Sequence, residues 1–405
     1  MQSRARTLAA AGALVLVCGA AQAQTYHVRD LGSLGGLGNT DAFDVVGLAP
    51  IVVGFATAAN QNHRAFVWDG STLTRIDPAG TDTQSAAVGV DGLGRVVGVS
   101  YTLGEPVLHA WRWAGGAQGA TTPLGDFTPR SVNAAGDVAG FLGVTDSWGL
   151  HQDHACVLPS AGTLTDLGTL AGASWSRAYA INSIGQIVGE SAGSNDQGSR
   201  PVMWRQGAIV DLGTLGGAFG GAQAINDSGI VVGWSDAGGP TPSNRATKFM
   251  INAAGQVVSR TDMGVLATAV PGAGSWSYAY GVNNAGLIVG QSCGRAFVDF
   301  GQGLNDLNAL VPSAPAWFIV SARAIDESGN IAAWGADALG RPRPLLLAPC
   351  DGDYNRDGTL TVSDIFEFLN GWFAGDTRAD TLRNGVLSVQ DIFEFLMRWF
   401  AGCQF

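Results

Sequence analysis

The residues best placed to do chemistry are oxygen donors near the C-terminus. Asp353, Asn355 and Asp357 alternate along one short segment, Gly358 follows, and Asp364 closes it at position twelve counted from Asp353. The carbonyl of Thr359 falls at position seven and Thr361 at position nine, where a side chain acts through water. With a glycine at the sharp turn, this is the spacing by which an EF-type loop surrounds calcium. Calcium takes hard oxygen ligands, and three carboxylates with carbonyls and water would supply them. A second loop begins twenty-seven residues later: Asp380, Asn384 and Asp391 remain, with Gly385 at the turn and the Val386 carbonyl available. Leu382 replaces the third-position oxygen, and fewer charges predict weaker binding there. For both loops the competing reading is an Asx turn that needs no ion.

Each loop runs into a helix, and the two helices share DIFEFL and WFAG. Ile365, Phe366, Phe368, Leu369, Trp372 and Phe373 recur as Ile392, Phe393, Phe395, Leu396, Trp399 and Phe400. Spacings of three and four put them on one broad apolar face. A module this small needs most of that face for its own core. So many aromatics nevertheless make Trp372 and Trp399 candidates for a partner surface, against a reading in which both are core. Cys350 and Cys403 bracket the duplication, and a bridge between them would contribute about 4 kcal/mol by chain-entropy reasoning.

Before this tail, from Gln24 to Pro349, lie seven copies of a unit of about 44 residues. AINSIGQIVGES, AINDSGIVVGWS and GVNNAGLIVGQS are the clearest hairpins. Asp91, Asn133, Asn182, Asn226, Asn283 and Asp326 each precede a glycine by three residues, the chemistry of a tight turn. Gly47 stands at this place in a degenerate first copy. Each hairpin is followed by Arg or His and an apolar run (Arg64, His109, His154, Arg200, Arg245, Arg295, Arg343), then by a DLGTL-like stretch. Four short strands per unit predict a propeller blade. The seventh unit lacks its last strand, while Tyr26 to Leu34 is a last strand with no unit before it. A closed ring follows if that strand completes the seventh blade, hiding both sheet edges; an open solenoid is the alternative. The expected fold is mainly β, a seven-bladed β-propeller with a small α-helical calcium module.

Residues 1–23 read as a secretion signal: Arg4 and Arg6, an apolar stretch from Leu8 to Val17, and small residues before Gln24. That stretch is too short to span a bilayer, and no other run suits one. The expected domains are thus 1–23, 24–349 and 350–405, in an exported chain. Acidic and basic residues number 33 and 22, and Lys248 is the single lysine, which argues against nucleic acid. Cys156 and Cys293 fall in different repeats and are expected buried and unpaired.

Catalytic residues should break the repeat. Glu190 does so, standing where other copies carry Phe55, Val99, Phe141, Trp234, Gln291 and Trp334. A buried carboxyl there could serve as an acid, but sugar hydrolysis needs a second one opposite, and none is readable. His151, Asp153 and His154 could bind zinc, although His154 fills the repeated Arg/His place, which reads as a polar contact between strands or blades. Trp175, Phe219 and Trp276 each stand seven residues before a turn asparagine, where loops reach one face of a propeller. They could stack on carbohydrate or anchor a protein, or pack between blades.

The HAF-type Arg/His motif and the DLGTLGG stretches, strongest from Asp166 to Val232, resemble the extracellular HAF-repeat family, which implies export and a repeat β fold. The segment from Cys350 resembles a dockerin, of the variant bounded by cysteines and ending WFAGC. That likeness implies calcium-dependent binding to a cohesin-like protein partner, with Ser363 and Gln390 at places that influence partner choice. A non-catalytic binding propeller is the expected function; a polysaccharide-active hydrolase or lyase carried by the tail is the alternative.

Overall fold

A computed structural model describes residues 25–47, 49–78, 80–104, 107–115, 120–145, 150–193, 196–238, 243–267, 276–311, 317–355, 360–382 and 386–402. The expected leader 1–23 lies outside them, as do Asp357, Thr359, Asn384 and Cys403.

Among the described residues, seven four-stranded antiparallel sheets follow one another along the chain. Their innermost strands are Gly35–Val46, Gln84–Val90, Thr128–Val132, Ser176–Ile181, Gly220–Ile225, Ser277–Val282 and Phe318–Ile325, taken as blades 1 to 7. Blade 7 supplies three strands of its own, ending in Pro342–Pro349, and Tyr26–Asp30 adds the fourth. That pairing is antiparallel, from Tyr26 opposite Pro349 to Asp30 opposite Leu345. The ring is therefore closed by the strand the sequence left over, and Tyr26 is wholly buried in the core it completes.

Apolar side chains between neighbouring blades form the core. Val188 and Met203 of blade 4, for example, pack with Ala222, Val231 and Phe249 of blade 5. Alternating strand residues point into these seams, which is why each blade reads as a short apolar run. The repeated Arg or His joins the third strand to the aspartate of the DLG-like stretch on the fourth, at distances from 2.8 Å for His154–Asp166 to 4.0 Å for Arg245–Asp262. The polar contact expected at this position is thus one between strands: an ion pair where the residue is arginine, and a ring-nitrogen contact to a carboxylate where it is His109 or His154.

The strand glycine of VVG has a steric cause. A Cβ on Gly189 would lie 1.9 Å from the Arg177 carbonyl oxygen, and one on Gly233 would lie 2.0 Å from that of Gly221. The inner strand bulges here and brings its backbone close, so only glycine fits.

The turn asparagines do two jobs. Within its own turn, Asn226 Oδ1 accepts from Ser228 N (3.1 Å) and Ile230 N (2.8 Å), and Gly229 takes φ +81°. Its Nδ2 then donates to the Asn283 carbonyl of the next blade, at 2.9 Å. Asn133 reaches Asn182, Asn182 reaches Asn226, and Asn283 reaches Asp326 in the same way. Where the repeat lacks asparagine, other groups continue the belt. Arg95 donates to the Ala134 carbonyl, Asn330 to the Gly47 carbonyl, and Asp44 accepts from Val90 N. The belt gathers all seven turns at one mouth of the central channel.

The tail holds two helices, α1 (Val362–Ala374) and α2 (Val389–Ala401). Each begins with a first-turn aspartate that accepts from the N-cap N–H: Thr361 N to Asp364 Oδ2 at 2.8 Å, and Ser388 N to Asp391 Oδ2 at 2.7 Å. Each ends at a glycine with φ 76°, Gly375 and Gly402, the left-handed cap that terminates helices. Phe368 and Phe395 stack face to face at 4.0 Å, with Tyr354 edge-on to both. Among the described residues, no helix is long and apolar enough to cross a membrane.

Candidate functional site

Two regions merit comparison with the sequence expectations: the loops of the tail, and the channel mouth opposite the turns.

In the first loop, Asp353 is buried and its Oδ2 accepts from Thr25 Oγ1 at 3.3 Å, beside the closing strand. Asn355 donates its backbone N–H to Asp364 Oδ1 at 3.2 Å, so the loop folds back onto the carboxylate at the start of α1. In the second, Leu382 N donates to Asp391 Oδ1 at 3.1 Å, the same bond at the same place. Asp364 and Asp391 are fully buried. Burial alone would raise the Asp391 carboxyl, but the N–H donors of Leu382 and Ser388 outweigh it and hold the group below its ordinary value. Thr361 is the N-cap of α1, Asp380 is half-buried and Val386 is exposed. Cys350 is buried and disulfide-bonded, with its expected partner Cys403 outside the described residues. Cys156 and Cys293 are both buried thiols, and burial pushes that of Cys156 up to about 12.

The tail's tryptophans cross between the helices. Trp372 Nε1 donates to the Ser388 carbonyl, and Trp399 Nε1 to the Thr361 carbonyl, each at 3.0 Å. Each indole thus binds the residue that caps the other helix, and both rings are half-buried. The exposed apolar side chains are others: Val362, Phe366 and Phe373 on α1, and Val389, Phe393, Met397 and Phe400 on α2. Phe373 and Phe400, 77% and 76% exposed, occupy equivalent places in the duplication. Ser363 and Gln390 are exposed in the first turns of the same helices.

In the propeller, inner strands begin at the mouth opposite the turns, so Trp175, Phe219 and Trp276 gather there. Trp175 is half-buried against Arg177, whose guanidinium lies 5.4 Å from the indole ring and 5.5 Å from that of Phe141. Phe219 is 51% exposed. Trp276 packs on Tyr278, which also meets Trp234. A cleft of about 740 Å³ opens here, lined by Phe141, His151, Asp153, Trp175 and Arg177 among others. His151 and Asp153 share one face of their strand while His154 turns to Asp166, so a three-residue zinc site is not assembled. Asp153 instead pairs with Arg177 at 2.7 Å.

Glu190 is buried beside this cleft. Tyr179 donates its hydroxyl to Glu190 Oε1 at 2.5 Å, and Arg177 lies 3.9 Å from the same oxygen. Burial raises its carboxyl, against the lowering pull of Tyr179, Arg177 and Arg130.

The channel wall itself was not legible in the sequence. Each inner strand slips register before its turn, leaving one residue out of the pairing there: Phe43, Val88, Arg130, Tyr179, Gln223, Tyr280 and Arg323; the strands of blades 1 and 7 slip once more, nearer their starts. A bulged residue leaves the ladder and re-aims its side chain. Contacts between neighbouring blades bring four of these side chains together in two pairs along the inner strands. Arg130 lies 5.4 Å from the Tyr179 ring, and Arg323 lies 5.0 Å from that of Tyr280. Arg323 also pairs with Asp41 of blade 1 at 2.9 Å. Burial raises Asp41 to about 6 even so. A signal was available: in blades 2 to 7 the bulged residue stands three before the turn Asn or Asp, at a position where the repeats disagree.

The fold and site define a seven-bladed β-propeller with a two-helix tail. No family model matches the chain, and neither does any curated protein. Similar solved structures include YCF48 bound to D1 peptide, at 12% identity and a TM-score of 0.47, over 81% of this chain and 96% of that one. A catalytically inactive virginiamycin B lyase from Staphylococcus aureus with quinupristin gives 11% and 0.47, over 80% and 99%. Puromycin hydrolase gives 15% and 0.45, over 77% and 54%. At these identities and scores the likeness says nothing of what this chain binds.

Proposed function

We propose that this chain is an exported, non-catalytic binding propeller of the HAF-repeat type, attached by its dockerin-like tail to a cohesin-like protein partner in the presence of calcium. The observation that carries the reading is the repeated exposure of Phe366 with Phe373 and Phe393 with Phe400, on helices whose own core is already filled by Phe368 and Phe395. A small domain does not leave paired phenylalanines in water without a use for them. Ser363 and Gln390 flank these faces at equivalent places.

Among the described residues no three acidic, His or Cys side chains gather at one point, and Asp357 and Asn384 lie outside them; the carboxylates that are described are hard donors of the kind calcium takes. Asp353 and Asp364 are buried oxygen donors of one loop, and Asp380 and Asp391 belong to the other. Among the described residues no basic side chain pairs with Asp364 or Asp391. Calcium, with Asp353, Asn355, Asp357, Thr359, Thr361 and Asp364 as its holders in the first loop, would neutralise that charge and stiffen the loop into α1. Asp380, Asn384, Val386 and Asp391 would hold a second, weaker ion.

The propeller offers the cleft beside Trp175 and Arg177 as its binding face, where flat aromatic groups and charge suit carbohydrate. A hydrolase or lyase would need two carboxyls facing one bond. Glu190 instead contacts Tyr179 and Arg177, and Asp41 of blade 1 is tied to Arg323 of blade 7. The test is surface plasmon resonance of the full chain against a purified cohesin module, in calcium and in chelator. Binding should require calcium and fall more than tenfold, about 1.4 kcal/mol or more, when Phe373→Ser and Phe400→Ser are combined. Equal binding in chelator, or none in calcium, would refute the docking role.

A further inference from the structure

We propose that Arg130 anchors an oxyanion-binding site inside the central channel, taking the carboxylate or phosphate of an acidic ligand that enters the bore. Arg130 is the residue that the blade 3 inner strand expels from its ladder, between Pro129 and Ser131. Its guanidinium rests against the Tyr179 ring of blade 4 and senses the charge of Arg323, which comes from blade 7 on the far side of the ring. Three arginines, Arg130, Arg177 and Arg323, thus look toward one narrow space.

Two of the three are neutralised by the protein. Asp153 pairs with Arg177, and Asp41 accepts from both Nε and Nη2 of Arg323. Arg130 differs: among the described residues it has no ion pair and no hydrogen bond, and its one close contact is with a ring face. The carboxyl whose charge acts on it, Glu190, is held by Tyr179 and Arg177. The side chain stays open to water along the bore, yet the surrounding strands crowd out bulk solvent, and this desolvation lowers its hold on the proton. A cation so placed costs free energy unless an anion meets it.

A guanidinium suits this task better than an ammonium. Its planar fork presents parallel N–H donors that match a carboxylate or phosphate edge, and one face can lie on an aromatic ring while the edge binds. Arg130 has its face on Tyr179 and its edge unused. Tyr280, stacked parallel to Tyr278 with centroids 6.2 Å apart, lines another part of the wall and gives the rest of such a ligand an apolar surface.

The test uses the full chain and three probes: glucuronate, acetate and inorganic phosphate, with glucose as the uncharged control. Titration calorimetry and melting temperature are read together, because a ligand bound to the native state raises the melting point. At least one anion should bind saturably, and glucose should not. Which anion binds separates carboxylate from phosphate recognition. Arg130→Gln should weaken that binding about tenfold or more, while Arg130→Lys, which keeps charge without the fork, should fall between. Without anion, Arg130→Gln should melt at or above the wild-type temperature, since relief of the desolvated charge outweighs the ring contact with Tyr179 that is lost. Three results would overturn the proposal: no anion binds, binding is unchanged in Arg130→Gln, or that substitution lowers the melting temperature in anion-free buffer.

Discussion

The ring and the tail both grew by repetition, yet they present opposite parts of their repeats to the outside. In the ring, what recurs is turned inward. The turn asparagine links blade to blade, the strand glycine admits a bulge, and the Arg or His is tied to the aspartate of the next strand. What varies is the bulge position on the inner strands, where Val88, Arg130, Tyr179, Gln223, Tyr280 and Arg323 differ or alternate. In the tail, the exposed positions also recur: Phe366 with Phe393, and Phe373 with Phe400. A wall that differs blade by blade can grip one ligand from several sides. A surface that is the same on both helices offers one partner two equivalent grips.

The largest effect should come from opening the ring. Removing residues 24 to 34 deletes the fourth strand of blade 7 and exposes the apolar seam around Tyr26, at a cost of more than about 3 kcal/mol. Thermal unfolding should show a large drop in melting temperature for the propeller; an unchanged temperature would mean the ring does not depend on this strand.

The belt can be separated from the turn itself. Asn226→Ala removes two turn bonds and the bond to blade 6, and should cost about 2–3 kcal/mol in denaturant unfolding. Asn252 makes the same turn bonds at an exposed hairpin, to Ala254 N and Gln256 N, without reaching another blade. Asn252→Ala should cost about 1 kcal/mol or less. Equal losses would reduce the belt to a set of ordinary turns.

Asp44 sharpens the comparison through pH. Crowding in the ring raises its carboxyl to about 7, against hydrogen bonds from Val90 N and Val45 N. The folded ring therefore holds this proton more tightly than the unfolded chain does. Its stabilising contribution is complete below about pH 4 and is lost as pH climbs through about 7. Asp44→Asn cannot ionise, so its stability relative to wild type should rise between pH 5 and pH 8, by about 1–2 kcal/mol after allowing for partial solvent contact. A difference that stays flat across that range would show the carboxyl titrating normally.

The smallest effects belong to the tail. Trp372→Phe and Trp399→Phe each remove one indole bond to the opposite N-cap and should cost about 1 kcal/mol, equally. Phe373→Ser and Phe400→Ser should change stability by less than about 0.5 kcal/mol. A larger loss from the phenylalanines than from the tryptophans would reverse the assignment of core and surface.

Much of the ring could be read from the chain because its signals are local. Asn182 and Gly185 specify a turn by their own backbone chemistry, and Tyr26 to Leu34 stood out as a strand without a blade. The belt was hidden because Asn182 Nδ2 finds its second partner, the Asn226 carbonyl, only when blades are stacked. The bore was hidden because expulsion of Arg130 depends on register, which the residue types around it do not fix. In the tail, the apolar face was plain, but its division was not. Trp372 was read as either core or candidate surface; its indole reaches the Ser388 carbonyl, while Phe373 beside it faces water.

Calcium calorimetry of the full chain tests the docking account most directly. Wild type should take up one ion tightly and a second more weakly. Asp353→Ala combined with Asp357→Ala should abolish the tight phase, and Asp380→Ala should affect only the weak one. No heat of binding in the wild type, or a tight phase that survives loss of both Asp353 and Asp357, would contradict it.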